Sequence, residues 1–156
     1  MSLAPIRFED RPPTLLAGLR RTHAAATSPE TVAAQWRDFS AEDSAPGAMG
    51  EMRYGAMCAT DLERKTFDYL CAAEVSSFDG LPDAFGRMSL PAARYAVFAH
   101  EGDFAGLRET WGAIWTKWLP TSGFSPNETP DFERYDDRFD FAGGEGAVEI
   151  WFPVKS

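Results

Sequence analysis

Apolar residues in the second half of the chain follow the spacing of an amphipathic helix. Asp103 stands before this stretch as a possible helix cap, and Pro120 follows it as a helix-ending residue. The apolar positions lie three and four residues apart, at Phe104, Leu107, Trp111, Ile114, Trp115 and Trp118. Because this spacing gathers side chains on one face, the segment DFAGLRETWGAIWTKWLP predicts the strongest helix of the chain.

The first half contains a shorter helical pattern, in the segment TSPETVAAQWRDF. Ser28 can cap this helix, and Pro29 suits its first position because proline has no N–H to satisfy. The residues of the helical stripe are Val32, Gln35, Trp36 and Phe39. The pattern predicts a helix over residues 29–40.

Six other segments have the composition or the alternation of β-strands. They are the stretch from Ile6 to Arg20, interrupted near Pro12 and Pro13, and the segments EMRYGAMCAT, KTFDYLCAAEVSSF, ARYAVFAHEG, DFERYDDRF and GAVEIWFPVK. The last two are joined by the glycine-rich AGGEG, which predicts a hairpin. The segments SAEDSAPGAMG, DGLPDAFGRMSLP and TSGFSPNETP are rich in turn-forming residues and predict loops.

The order of these elements repeats along the chain. The approximate halves 1–80 and 90–156 each read strand, helix, strand, strand, and the motifs MRYGA and FERYD take matching positions. Tyr54 and Tyr135 are thereby predicted at equivalent places in the two halves. Consecutive hairpins with one helix per half predict a single α+β domain over residues 1–156, with two helices on one face of a mainly antiparallel sheet.

Charge and motif content argue against several classes of function. The chain has 156 residues and a formal net charge of -9, which repels a phosphate backbone and argues against nucleic-acid binding. No segment has the pattern of a signal peptide or of a membrane span, so we expect a cytoplasmic protein with no membrane partner. His23 and His100 lack metal-ligand spacing, and no P-loop, dinucleotide fingerprint or nucleophile elbow occurs. We therefore expect neither a metal nor a cofactor.

Four sequence blocks carry a resemblance to a known family. YAVFAHEG, WLPTSGF, PDFERYD and VEIWFPVK occur in this order over residues 94–155, and the segment resembles the GyrI-like effector-binding domain family. That family also supplies the drug-sensing domain of some AraC-type and MerR-type regulators. The segments YGAMCATD and FDYLCAAEV extend the resemblance toward the N-terminus. No helix-turn-helix segment accompanies the module, so we expect a free-standing domain without a DNA-binding domain.

The resemblance implies a pseudo-twofold duplication of a strand-helix-strand-strand unit, with a central ligand groove. It also implies that Glu149, in the last strand, lies in that groove among aromatic rings. Alternation in AVEIWF separates Val148 and Ile150 from Glu149, so Glu149 points into the groove if the helices cover the other face. The aromatic candidates for the groove are Trp111, Tyr135, Tyr54, Trp115, Trp36 and Trp151.

Each of these residues also has a purely structural interpretation. Glu149 can lie on a solvated face or pair with an arginine such as Arg53, Arg134 or Arg138, and the spacing of the tryptophans alone favours the core. Glu133, in FERYD, is either a second acid or a structural hydrogen-bond acceptor, and the sequence favours the structural role. A desolvated carboxylate among rings selects lipophilic cations, because burial penalises its charge and π-faces attract the same cation.

Three functions follow from these observations. The first is a stand-alone, non-enzymatic protein that binds hydrophobic, often cationic small molecules in the groove, for sensing or for sequestration. The second, which the resemblance implies, is a hydrolase of reactive cyclopropane-bearing natural products, with Glu149 as its catalytic residue. The third is a protein-interaction module that acts on DNA gyrase or on a regulator. In all three, the partner is not nucleic acid.

Overall fold

An antiparallel sheet runs through both halves of the chain. The structure is a computed structural model, and it describes residues 3–41 and 47–155. The strands in this part of the chain are β1 (Arg7–Arg11), β2 (Thr14–Ala24), β3 (Arg53–Asp61), β4 (Thr66–Val75), β5 (Gly86–Leu90), β6 (Ala93–Asp103), β7 (Ser125–Pro126), β8 (Phe132–Asp140) and β9 (Glu145–Lys155). Their spatial order is β1-β6-β9-β8-β3-β4-β2-β5, with β7 paired to the end of β9, and the sheet is curled.

The first helix agrees closely with its prediction. After a short 3-10 turn, α1 spans Ser28–Ala41, one residue more at each end than the sequence pattern indicated. Ser28 stands at its start, where its hydroxyl donates to the carbonyl oxygen of Ala25 at 3.3 Å. Gln35 fastens α1 to the sheet, because its side-chain amide donates to the carbonyl oxygens of Leu19 and Tyr69 at 2.8 and 2.9 Å.

The second helix begins as predicted but ends differently. Asp103 caps α2 (Phe104–Ala113) by accepting the N–H of Gly106 at 2.8 Å. A π-helical segment, Ile114–Trp118, and α3 (Leu119–Ser122) continue the same helical path, so the prediction that the helix ends before Pro120 is wrong. The π turn accommodates this proline. The N–H of Leu119 donates to the carbonyl oxygen of Ile114, five residues earlier, and Pro120 has no N–H that would need a partner in the helix.

The predicted duplication is confirmed by the topology. The units β2-α1-β3-β4 and β6-α2-β8-β9 meet where β3 pairs with β8. The edge strands are exchanged between the halves, because β1 precedes β2 but pairs with β6, while β5 precedes β6 but pairs with β2. Pro12 and Pro13 therefore separate two strands with different partners. The sequence missed β5, a short edge strand inside a segment rich in turn residues.

The equivalence of Tyr54 and Tyr135 is wrong by one residue. In the β3–β8 pair, Tyr54 lies opposite Arg134, and Tyr135 lies opposite Arg53. Because successive side chains of a strand point to opposite faces, this register places Tyr54 and Tyr135 on different sides of the sheet. The motifs MRYGA and FERYD do meet at the centre of the sheet, but not in the alignment that superposes their tyrosines.

The two faces of the sheet bury different clusters. Under the helices, Trp36 of α1 and Leu107 of α2 pack against strand residues such as Phe98 and Ile150. This arrangement confirms the prediction that both helices cover one face. The cluster on the opposite face consists only of strand residues, among them Leu16, Tyr54, Tyr95, Phe132 and Trp151.

Candidate ligand-binding cavity

A cavity of about 440 Å3 lies between α1 and α2, above the central strands β3, β4 and β8. It is on the face that the helices cover. This volume lies in the range of pockets that hold drug-sized molecules. The aromatic side chains that line it are Phe67, Tyr69, Phe104, Trp111 and Trp115.

Glu133 of β8 faces this cavity, and three neutral donors hold its carboxylate. Tyr69 and Tyr135 donate their hydroxyl groups to Oε1, each at 2.5 Å. Trp111 of α2 donates its indole N–H to Oε2 at 2.8 Å. Behind this cluster, Trp36 of α1 donates its indole N–H to the Tyr69 hydroxyl at 3.1 Å. Both helices and two strands thus fix the position of one carboxylate.

The charge of Glu133 is not balanced by any residue in the described part of the chain. The side chain is 8% exposed, and it forms no ion pair with any residue that the structure describes. Burial raises the pKa of Glu133, and the hydrogen bonds from its three donors only partly oppose this rise. Burial and the nearby Glu133 raise the pKa of Tyr69 and of Tyr135 well above the ordinary value, so both remain neutral donors. A cation entering the cavity would find a desolvated carboxylate without a competing countercharge.

A glycine in β3 makes room for this cluster. Gly55 lies opposite Glu133 in the β3–β8 pair. A Cβ atom on Gly55 would collide with the Tyr69 hydroxyl and approach Glu133 Oε1 to 2.9 Å. The close approach of Tyr69 and Glu133 over the β3 backbone therefore depends on the absence of a side chain at residue 55.

Asp131 supplies a second carboxylate to the cavity, two residues before Glu133. Its carboxylate forms no ion pair with a described residue, and burial together with the charge of Glu133 raises the pKa of Asp131 to about 7. Arg108 is the one basic residue among the described cavity-lining residues. Its guanidinium donates to the carbonyl oxygen of Ala25 at 2.5 Å and to the hydroxyl of Ser28 at 3.4 Å, and it forms no ion pair with either carboxylate.

Replacing Asp131 with asparagine will stabilise the protein above neutral pH. The pKa of Asp131 is higher in the folded chain than its ordinary value of 3.8. Folding therefore takes up a proton between these pKa values, and the free energy of unfolding of the wild type falls as the pH rises from about 4 to about 7. We expect Asp131→Asn to raise the free energy of unfolding by about 1 to 2 kcal/mol near pH 8, and to change it little near pH 4.

Urea unfolding of both proteins across this pH range measures the difference. Asp136→Asn is the control with the opposite sign, because hydrogen bonds from Arg138 lower the pKa of Asp136. That substitution removes a favourable surface ion pair and should lower the free energy of unfolding by less than about 1 kcal/mol near pH 8. A wild type and an Asp131→Asn variant with parallel pH profiles would contradict the assignment of Asp131 as a carboxyl group that burial keeps partly protonated.

Glu149 lies on the face opposite the cavity, where two arginines compensate it. Val148 and Ile150 face the helices, so alternation turns Glu149 away from them. Arg7 donates to its Oε2 at 2.9 Å, and Arg134 donates to its Oε1 at 2.8 Å. The expectation of an uncompensated Glu149 in the groove is therefore wrong, because the groove lies on the helix-covered face. The ion pair with Arg134 is the structural alternative that the sequence left open.

The same contacts bear on the hydrolase hypothesis for Glu149. Partial burial opposes its ionisation, but the hydrogen bonds and charges of Arg7 and Arg134 outweigh burial and lower the pKa of Glu149. A carboxyl group that donates a proton near neutral pH needs a raised pKa. The environment of Glu149 therefore favours a structural ion pair over a catalytic acid.

Four of the predicted aromatic residues lie at or behind the cavity. Trp111 lines it and binds Glu133, and Trp115 lines its mouth with 46% of its surface exposed. Tyr135 and Trp36 are fully buried behind the cavity, where their rings pack with centroids 4.7 Å apart. These two residues belong to the support of the site rather than to its open surface.

The other two aromatic candidates, Tyr54 and Trp151, lie on the opposite face of the sheet. The guanidinium groups of Arg7, Arg11 and Arg134 lie over the ring of Trp151, at 5.3, 5.2 and 4.7 Å from its centroid. These cation-π contacts cover the aromatic face from solvent. Neither Tyr54 nor Trp151 lines the cavity.

The sequence reasoning missed Tyr69 and Asp131, and it gave Glu133 only a structural role. A usable signal was present in PDFERYD, because residues 131, 133 and 135 alternate and can share one face of a strand. The hydroxyl of Tyr69 comes from β4, on the far side of β3 from Glu133. No spacing along the chain reveals that contact.

The histidines have structural partners. His23 contacts Thr31 at 2.7 Å and Gln35 at 2.6 Å, and His100 contacts Thr110 at 2.9 Å. Within residues 3–41 and 47–155, no three His, Cys, Asp or Glu side chains are grouped so that they could hold a metal ion. None of the helices described is long and apolar enough to cross a membrane.

The fold and the cavity define a small-molecule-binding domain of the α+β class. The chain belongs to the Cass2 family of integron-associated effector binding proteins, whose family model matches residues 7–154. This match confirms the resemblance to GyrI-like effector-binding domains. It also assigns the chain to the effector-binding class, without identifying the effector.

Two named relatives share part of their length with this chain. It is 30% identical over 135 residues to the transcriptional regulator BrlR of Pseudomonas aeruginosa, which covers 85% of this chain and 48% of BrlR. It is 36% identical over 73 residues to a DNA gyrase inhibitor of Erwinia billingiae, which covers 44% of each chain. The chain thus spans about half the length of the curated relatives it matches.

Solved structures share the fold over nearly the whole chain. The structure of SAV2435 bound to tetraphenylphosphonium has a TM-score of 0.67 at 17% identity and covers 100% of this chain and 95% of its own. An integron cassette protein of Vibrio cholerae has a TM-score of 0.64 at 16% identity, with 98% and 97% covered. The C-terminal domain of EcmrR has a TM-score of 0.67 at 17% identity, with 96% of each chain covered. At these identities the likeness shows the fold.

Proposed function

We propose that this domain binds hydrophobic cations in the cavity between α1 and α2, with Glu133 as the countercharge. The observation that carries the proposal is a buried carboxylate that has three neutral donors and no ion pair among the described residues. Such a group is costly to bury, and a cation that reaches it recovers part of that cost. The bound molecule then serves as an effector for sensing, or it is sequestered.

The walls of the cavity favour the same class of ligand. The aromatic residues Phe67, Trp111 and Trp115 line the cavity, and cation-π contacts contribute roughly 0.5 to 2 kcal/mol each. Rings also bury apolar ligand surface without demanding a particular hydrogen-bond pattern. A cationic ligand with aromatic substituents uses both properties, so we expect broad selectivity set by charge and size.

The relatives support this proposal in two ways. SAV2435, which has the same fold, was solved with a lipophilic cation, tetraphenylphosphonium. BrlR is a transcriptional regulator, and an effector-binding domain can serve a regulator as its sensor. The acidic net charge of -9 also favours cations over phosphate-bearing partners. Action on DNA gyrase or on a regulator stays a prediction, and so does the assignment of residues 1–156 to one domain.

Tetraphenylphosphonium should bind this domain, and tetraphenylborate should not. The two ions have nearly the same size and shape and opposite charge, so their difference isolates the electrostatic contribution of the cavity. Trp111 and Trp115 lie at the cavity, so tryptophan fluorescence should report binding, and calorimetry should give a Kd in the micromolar range, about 1 to 100 μM.

Equal affinity for the two ions would show that apolar burial alone drives binding, and it would contradict the role of Glu133 as a countercharge. Lack of binding by tetraphenylphosphonium would reject the proposal for this cation class. The affinity for tetraphenylphosphonium should depend only weakly on the salt concentration, because a buried charge contact is screened less than a surface one.

A further inference from the structure

The cavity offers two carboxylates to one ligand, and this pairing defines a narrower ligand class. We propose that the cavity binds hydrophobic dications, with one positive charge at Glu133 and the second at Asp131. The inference rests on the proposed binding of hydrophobic cations, which needs Glu133 alone. It adds the claim that Asp131 selects ligands with two charges at a defined separation.

Both carboxylates reach the same space from neighbouring positions in the chain. Asp131 and Glu133 both line the cavity, and residues two apart in extended chain are separated by about 6.6 Å. Glu133 is held in place by its three donors. The side chain of Asp131 is partly buried and forms no ion pair with a described residue. A rigid ligand whose cationic groups have a similar separation can contact both.

None of the described residues that line the cavity forms an ion pair with Asp131 or Glu133. Arg108 of α2 is turned toward Ala25 and Ser28. The α1 residues that line the cavity are uncharged, and Tyr69 of β4 stays neutral because its pKa is raised. The second negative charge is therefore available to a proton or to a ligand cation.

A proton and a ligand cation compete for Asp131, so the affinity of the cavity for a dication depends on pH. The carboxyl of Asp131, whose pKa is raised to about 7 by burial and by Glu133, is partly protonated at neutral pH. The titratable and charged groups around it are Glu133 on its own segment, Tyr69 and Arg108 on the cavity wall, and Tyr95 of β6, whose pKa is raised by burial and by the charge of Asp131. A dication binds best when Asp131 is ionised, so its affinity should rise between about pH 6 and about pH 8, more steeply than that of a monocation.

The test uses three quaternary ammonium probes that do not titrate. 1,4-Bis(trimethylammoniomethyl)benzene has two cationic groups separated by a distance similar to that between the two residues. Benzyltrimethylammonium is its monocationic counterpart, and 4,4′-bis(trimethylammoniomethyl)biphenyl places the charges too far apart for the pair. Calorimetry on the wild type near pH 8 should show the short dication binding about tenfold more tightly than either of the other two.

Two variants then test whether the higher affinity for the short dication depends on Asp131. In Asp131→Asn, the short dication should lose about tenfold in affinity and its steep pH dependence, while the monocation loses much less. Asp136→Asn makes the same chemical change in β8, the strand that follows Asp131, at a residue paired with Arg138, and should leave all three affinities unchanged. Circular dichroism verifies that each variant is folded.

The outcomes separate this inference from the proposed function. Binding of all three probes with equal affinity, or an unchanged preference in Asp131→Asn, would overturn the dication inference and leave cation binding at Glu133 intact. Failure of every cationic probe, with tetraphenylphosphonium included, would overturn both. The comparison of the two dications on the wild type needs no variant, so the inference is testable even if Asp131→Asn does not fold.

Discussion

Replacing Glu133 with glutamine will lower the affinity for tetraphenylphosphonium by about 100-fold. Glutamine keeps the size of the side chain and can still accept from Tyr69 and Tyr135, but it removes the negative charge. Losing one partner of a buried charge pair costs about 2 to 5 kcal/mol, and the lower part of this range corresponds to about two orders of magnitude in Kd. Calorimetric titration of the two proteins near pH 8 measures the change.

Stability should move little in Glu133→Gln. The wild type bears the cost of holding a desolvated carboxylate, and glutamine removes this cost while it disturbs the hydrogen bonds from Trp111 and the tyrosines. We expect the two effects to offset each other within about 1 kcal/mol. If Glu133→Gln loses affinity because it is unfolded, the loss is not evidence for the countercharge. Urea unfolding distinguishes this case from a loss of affinity in a folded variant.

Glu149→Gln is the matched control, because it makes the same substitution at the acid that the sequence favoured. Glu149 is paired with Arg7 and Arg134 on the far face of the sheet. Its replacement leaves two partly buried arginines without their shared partner, so we expect a loss of about 1 to 3 kcal/mol in the free energy of unfolding. Affinity for tetraphenylphosphonium should not change. If Glu149→Gln abolished binding and Glu133→Gln did not, the ligand would bind on the face of the sheet opposite the cavity, and the proposed site would be wrong.

Gly55→Ala should be the most damaging single methyl addition near the cavity. The new Cβ would collide with the Tyr69 hydroxyl and come close to Glu133 Oε1. Overpacking of this kind costs about 1 to 3 kcal/mol, and here it also forces apart the groups that hold the carboxylate. We expect the free energy of unfolding to fall by an amount near the upper end of that range, and tetraphenylphosphonium to bind at least about tenfold more weakly.

Gly112→Ala is its control, because a Cβ on Gly112 would meet no atom within 4 Å. Residue 112 lies in α2, where alanine favours the helix over glycine by about 0.5 to 1 kcal/mol, so this variant should be more stable than the wild type. The double variant Gly55→Ala, Tyr69→Phe provides a second check. Removal of the hydroxyl relieves part of the collision, so the double variant should be less unstable than the sum of the two single changes. Strict additivity would contradict the proposed contact.

Much of the fold could be predicted from local patterns in the chain. The spacing of Trp111, Ile114 and Trp118 identified the second helix, and Asp103 marked its start correctly. Alternation in AVEIWF correctly separated the face of Val148 and Ile150 from the face of Glu149. Pro120 was misread because a local rule places proline after a helix, whereas the π turn before it allows the helical path to continue.

The candidate site was less predictable, because its members come from distant segments. Trp111 and Trp115 were identified from the sequence as possible wall residues, and both line the cavity. The choice between Glu149 and Glu133 was made incorrectly, since each lies in a strand beside aromatic residues and local context does not distinguish them. Their difference depends on which face carries the helices and on which face holds the arginines.

The sequence by itself determined the order of the elements, the internal duplication and the acidic, aromatic character of the chain. These properties depend on neighbours within a few residues, where side-chain periodicity and charge operate directly. The tertiary structure decided which carboxylate remains without a countercharge. Arg7 and Glu149 are 142 residues apart, Tyr69 and Glu133 are 64 apart, and only the pairing of β1 with β6 and the meeting of β3 with β8 bring these groups together. Compensation of a buried charge is a property of contacts between strands, so it emerges only after the sheet has formed.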